Sequence, residues 1–157
     1  MSCWQRNLIA ACDHGNVAAV EFILSLSSVT PEYLNKRGWR DGCTALMVAC
    51  DKGHMSIVDH LLDMEGIDIS IESNGMTAFE FACDGQHREI ARKLIYKGAK
   101  DNPYMAIRRG DQLWALDMLA KRHKEGWTEK AWRRALLETC YFGYADTMNA
   151  ILRVTRH

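Results

Sequence analysis

Nowhere in the 157 residues is there a run approaching the roughly 18 apolar residues that a membrane-crossing helix needs, so a bilayer span is not expected. The opening MSCWQRNLIAACDHG has neither the charged start nor the apolar stretch of a secretory leader. The expected location is therefore the cytoplasm, with the nucleus as the alternative. No Gly-x-Ser-x-Gly, His-Glu-x-x-His or phosphate-loop signature occurs. Neither an enzymatic activity nor a cofactor is therefore expected. Net charge is also missing, with 20 Lys+Arg against 20 Asp+Glu. That balance hides an asymmetry: residues 1–102 carry 10 basic and 14 acidic side chains, residues 103–157 carry 10 and 6. A bipolar charge distribution acts on partner choice and association rate rather than on the fold.

What the chain does contain is a phrase written three times. LIAACDHGNVAAVEFIL begins at Leu8, LMVACDKGHMSIVDHLL at Leu46 and FEFACDGQHREIARKLI at Phe79. Aligning the turn positions puts Gly15, Gly53, Gln86, Gly110 and Gly143 in one column, at successive intervals of 38, 33, 24 and 33. A period in this range implies stacked units. Around each column position the pattern is helix, sharp turn, helix: Ala45, Leu46, Val48 and Ala49 give one short apolar face, and Ile57, Val58, Leu61 and Leu62 give a second. Neither helix of such a pair can cover its own apolar side, so stability requires neighbours.

GCTALMVACDKGHMSIVDHLL and GMTAFEFACDGQHREIARKLIYKGA resemble the ankyrin-repeat family, whose units run Gly-x-Thr-Pro-Leu-His-x-Ala-Ala, then Gly-His, then Ile-Val and Leu-Leu. The resemblance is strong over residues 41–102, clear over 5–26 and weak from 103. Departures are Thr44-Ala45 and Thr77-Ala78 for the family's Thr-Pro, Met47 and Glu80 for its first His, and Gln86 for its turn glycine. The resemblance implies an all-α solenoid of about five helix-turn-helix units, at about 4–38, 39–72, 73–102, 103–126 and 127–157, forming a single domain over 1–157. It also implies two β-hairpin fingers, near 35–45 and 70–78, and a divergent C-terminal helical cap made of the last two pairs. The interval of 24 leaves no room for a finger before the fourth unit, whose Pro103 suits a first helical turn. The fifth unit is expected to have a longer first helix, capped at Thr128 with Glu129 behind it.

Cys50-x-x-x-His54 and Cys83-x-x-x-His87 carry zinc's preferred ligand types. Spacing argues against a site: adjacent repeats lie about 10 Å apart, whereas a zinc–sulfur bond is about 2.3 Å. Cys12, Cys50, Cys83 and Cys140 are expected instead as small buried residues between units. In the family the Gly-His histidine braces its turn, a role the resemblance carries to His54 and His87. Asp13, Asp51 and Asp84 make a second column, on the side that faces the concave surface in ankyrin proteins.

The resemblance implies a protein-recognition module or adaptor, a monomer on its own, that holds a protein partner with its concave face and fingers. Its candidate contact residues are Trp39, Arg40 and Asp41 at the first finger, Asn74 and Met76 at the second, and Asp51, Lys52, Arg108, Arg109, Tyr141 and Phe142 along the helix ends. Trp39 is either an exposed anchor or buried by the five extra residues before it. Tyr141 and Phe142 either meet a partner or pack within the cap. The alternative is binding of nucleic acid or another anionic ligand by the basic, aromatic C-terminal units, since phosphate charge and base stacking suit such a composition.

Overall fold

Helices this short end where the backbone turns left-handed, and the aligned column supplies that conformation each time. Gly15, Gly53, Gly110 and Gly143 have φ of +68°, +74°, +77° and +72°, and Gln86 follows at +58°. The same hydrogen bond closes each turn: Asn16, His54, His87, Asp111 and Tyr144 donate their backbone N–H groups to the carbonyls of Ala11, Ala49, Ala82, Ala106 and Thr139, at 2.8–3.0 Å. Carbonyls left over at the end of one helix are thereby satisfied before the next begins.

The computed structural model describes residues 3–38, 42–100, 103–108, 110–113, 117 and 129–155. Two compact units are present, Met1–Ala99 and Lys100–His157. The first contains α1 (Cys3–Asp13), α2 (Val17–Leu24), α3 (Pro31–Leu34), α4 (Ala45–Asp51), α5 (Met55–Leu62), α6 (Ala78–Asp84) and α7 (Arg88–Tyr96). Its core alternates helix faces: Leu46, Met47, Ala49 and Cys50 of α4, Ile57, Val58, Leu61 and Leu62 of α5, Phe79, Ala82 and Cys83 of α6, and Ile90, Ala91 and Leu94 of α7 are all buried. Among the described residues no helix is long and apolar enough to cross a membrane.

Two of the family departures resolve into one device. The Glu80 carboxylate accepts from both the backbone N–H and the hydroxyl of Thr77, at 2.7 and 3.1 Å. In α4 the Thr44 hydroxyl accepts from the Met47 N–H, and the Met47 thioether lies 3.3 Å from the Thr44 nitrogen. Both residues therefore stand at the third helical position, where a side chain can reach back to the cap.

The longer first unit contains a short extra helix, α3. Thr30 caps it by accepting from the Tyr33 N–H at 3.3 Å, Pro31 opens it, and Leu34 is buried. Asn35 then clasps a distant loop, its amide donating to the Gly66 carbonyl at 2.7 Å and its oxygen accepting from the Asp68 N–H at 2.8 Å. The Pro31 ring lies where a side chain at Gly66 would have to go.

Among the described residues no strand forms. Near the second expected finger, Ser73 and Met76 make one isolated antiparallel bridge around Asn74 and Gly75, both at positive φ. Near the first, the Gly38 N–H donates to the Cys43 carbonyl at 2.8 Å, while Trp39, Arg40 and Asp41 lie outside the described residues.

The second unit contains α8 (Pro103–Arg108), α9 (Glu129–Phe142) and α10 (Ala145–Thr155). Pro103 does open a helix, as its fixed φ favours. The cap expected at Thr128 lies outside the described residues. Met105, Ala106, Ile107, Ala135 and Ile151 form the core, joined by the small polar Thr139 and Thr147. One cysteine corrects the expectation: Cys12, Cys50 and Cys83 are fully buried, whereas Cys140 is exposed, its Sγ 3.5 Å from Met148 Sδ. Sequence register places a residue on a helix face; only a neighbour on that face buries it.

Candidate functional site

The ends of α1, α4 and α6 carry Asp13 with His14, Asp51 with Lys52, and Asp84 with Gly85, all exposed. These positions point outward because the apolar positions before them are committed to the core. Lys52 Nζ lies 3.3 Å from Asp51 Oδ2 and 3.9 Å from Asp13 Oδ1, so a cation sits within the acidic row. Exposed pairs of this kind contribute about 0–1 kcal/mol each. They leave the groups available to a partner.

Beneath this row the histidines act one repeat backwards. The His87 Nε2–H donates to the Asp51 carbonyl at 3.0 Å, and His54 Nε2 lies 3.4 Å from the Asp13 carbonyl. The imidazole thus caps the preceding repeat's helix. Its ring fills the space over that repeat's turn glycine: a Cβ on Gly15 would come within 2.7 Å of the His54 ring, and one on Gly53 would overlap the His87 ring. Asn16, standing where a histidine would in the first repeat, instead caps α2 by accepting from the Ala19 N–H at 3.0 Å.

The second helices of the pairs are joined by acid-to-base contacts with one polarity. Glu21 meets His60 at 2.9 Å, Asp59 meets Lys93, and Asp63 meets Lys97 at 3.9 Å. Each acid belongs to the earlier repeat and each base to the later one.

At the second expected finger Asn74 is exposed and Met76 half-buried, and Met76 is held by the bridge to Ser73. In the second unit Arg108 is half-buried with its Nε 3.9 Å from Glu138 Oε2. Arg109 lies outside the described residues. Tyr141 is 82% exposed, whereas Phe142 is half-buried, edge-on to Tyr141 at 5.0 Å and stacked on Tyr144 at 5.8 Å. The adjacent aromatics thus have different roles, one facing solvent and one holding the turn between α9 and α10. Sequence reasoning passed over Leu137, which is 69% exposed one helical turn before Tyr141. The spacing of four residues was the available signal.

Among the described residues no three His, Cys, Asp or Glu side chains gather as a metal site would require. Burial pushes the Cys12 thiol up to about 12 and raises Cys50 as well. Since the thiolate is the reactive form, these two sulfurs are inert packing at neutral pH.

A family model for ankyrin repeats, in three copies, matches residues 8–105. No protein among the curated ones matches. Among solved structures, one chain in the structure of the complex between the Bd0816 predatory endopeptidase from Bdellovibrio bacteriovorus and immunity protein Bd3460 superposes with a TM-score of 0.70 at 23% identity. The alignment covers 94% of the present chain and 80% of that one. At that identity the likeness is one of fold.

Proposed function

This chain belongs to the ankyrin-repeat family, and from that premise we propose that it is a non-enzymatic protein-recognition module whose domain spans residues 1–157. Five repeats, at about 4–38, 39–72, 73–102, 103–126 and 127–157, present helix ends and loop tips to one protein partner. The contact set is Trp39, Arg40, Asp41, Asp51, Lys52, Asn74, Met76, Arg108, Arg109, Tyr141 and Phe142. The observation that carries the reading is the contrast between buried and exposed positions on single helices. Side chains that make the core are spent on the neighbouring repeat, while Asp51, Lys52 and Tyr141 remain in solvent. A Tyr left 82% exposed suits an interface anchor. The solved structure of similar fold is of two proteins in complex, which supports a protein as the ligand class. We place the module in the cytoplasm or nucleus, where its buried thiols stay reduced.

Capture from lysate followed by mass spectrometry identifies the partner. Tyr141→Ala should then weaken binding by more than about 1 kcal/mol, the usual threshold for an anchor, with an unchanged melting temperature. Full affinity in that variant would remove the α9 end from the contact set. The basic balance of residues 103–157 supports a second reading, an anionic ligand such as single-stranded nucleic acid. Steep loss of binding with added salt would favour that reading over a protein partner.

A further inference from the structure

Six asparagines occur in the chain, at 7, 16, 35, 74, 102 and 149, and only Asn74 is followed by glycine. The others precede Leu8, Val17, Lys36, Pro103 and Ala150, whose side chains or ring crowd the following backbone nitrogen. The fold also treats Asn74 differently from Asn16 and Asn35. Asn16 and Asn35 are held through their side-chain amides, one capping α2 and the other clasping Gly66 and Asp68. Asn74 is exposed, and among the described residues neither it nor Gly75 has a hydrogen-bond or ion-pair partner. A Cβ built on Gly75 would meet nothing within 4 Å, so the tip stands in open solvent.

Asn74 also occupies left-handed backbone, at φ +53°, which a residue with a Cβ adopts at some cost. Two hydrogen bonds between Ser73 and Met76, at 2.8 and 3.0 Å, hold the turn, and among the described residues no ladder continues beyond them. Opening the tip between Ser73 and Met76 therefore breaks that pair, a local event well below global unfolding. The base is anchored independently, because Ser73 is buried and lies against the Cys43 thiol at 3.6 Å.

From this conjunction we infer that Asn74 is a self-modification site at which the folded protein converts asparagine to aspartate and isoaspartate. In the opened turn the Gly75 backbone nitrogen attacks Asn74 Cγ. The new N–Cγ bond forms as the Cγ–Nδ2 bond breaks, the Gly75 amide proton passes through solvent to the departing nitrogen, and ammonia leaves. Water then adds to either carbonyl of the succinimide ring. Opening at one carbonyl returns a normal backbone with an aspartate side chain; opening at the other runs the main chain through the former side chain, adding a methylene. Overall one amide and one water give one carboxylate, with ammonium as the other product, and no oxidant, metal or second enzyme takes part. The product carries one more negative charge at the tip. The isoaspartate form also cannot reproduce the two-residue turn, so the Ser73–Met76 bridge is lost.

The test is incubation of the folded chain at mildly alkaline pH, with peptide mapping by mass spectrometry and isoaspartyl labelling, beside an identical sample in urea. Conversion at Asn74 in the folded sample, within an order of magnitude of the urea rate and with the other five asparagines intact, is the expected result. Retention of Asn74 in the folded chain while the urea sample converts would overturn the proposal. Gly75→Ala should slow the reaction by more than an order of magnitude. Asn74→Gln, which cannot close a five-membered ring, should abolish the mass shift even if the alanine variant folds poorly. Conversion persisting at another residue in the glutamine variant would also overturn it. None of these readouts requires a binding partner.

Discussion

Gln86 holds the left-handed backbone that glycine holds in the preceding repeats, and a side chain there costs roughly 1–2 kcal/mol. Replacing it should recover part of that cost, less the flexibility glycine adds to the unfolded chain. Gln86→Gly is expected to stabilise the first unit by about 1 kcal/mol, read as a higher urea midpoint with unchanged slope. Gly53 and Gly143 separate conformation from crowding, since both have positive φ, but only Gly53 has an imidazole in the space a Cβ would occupy. Gly143→Ala should cost about 1 kcal/mol, the conformational term alone. Gly53→Ala should cost about 2–4 kcal/mol, because overpacking adds to it. Equal losses would show that the His87 ring swings away at no cost. The buried thiols make a further residue-scale prediction. Cys12 titrates near 9.0 when unfolded and is pushed up to about 12 by burial. Between these values the unfolded chain has released a proton that the folded chain keeps. Stability is therefore fully present below about pH 9 and falls as pH rises toward 12, by up to about 1.4 kcal/mol per pH unit for each such thiol. Alkaline denaturation should show a shallower slope for Cys12→Ala than for the parent chain.

At the scale of helices and turns, the sequence showed its repeat clearly and its contacts poorly. The turn column was legible because a sharp turn demands one conformation, and few residue types supply it; even Gln86, the exception, was found by its place. The histidine brace was legible from the resemblance. That it belongs to the preceding repeat was not legible, because the His87–Asp51 contact spans 36 residues. For α3 the signal was present in Thr30-Pro31-Glu32, a cap, a helix-opening proline and an acid in the first turn. It was read only as extra length because the family pattern has nothing at that place. Cys140 and Leu137 were missed for another reason: alignment assigns a helix face, and exposure depends on what covers it. Trp39, the most prominent sequence candidate, lies with Arg40 and Asp41 outside the described residues. Within α5 and α4 the difference between core and open face should be large. Leu61→Ala is expected to cost about 2–5 kcal/mol, whereas Lys52→Ala should stay within about 0.5 kcal/mol, both by denaturant titration.

The whole molecule divides into two compact units, Met1–Ala99 and Lys100–His157, and the division falls where the charge balance changes sign. Residues 1–99 contain three complete helix pairs, the acid-to-base contacts between them and both histidine braces. That segment expressed alone should retain cooperative unfolding, judged by coincident circular dichroism and tryptophan fluorescence transitions. A gradual, non-coincident melt would show that it depends on the rest of the chain. The braces also give the array a sense of direction. Each imidazole closes the turn behind it: His54 serves Asp13, 41 residues earlier, and His87 serves Asp51. A chain emerging from the ribosome amino end first thus finishes its first two repeats one repeat late. Until His54 and then His87 have been made, the turns at Gly15 and Gly53 stay unlatched, and a chain stalled short of either leaves that turn in this condition, offering quality-control machinery a mark of incompleteness that moves along with synthesis.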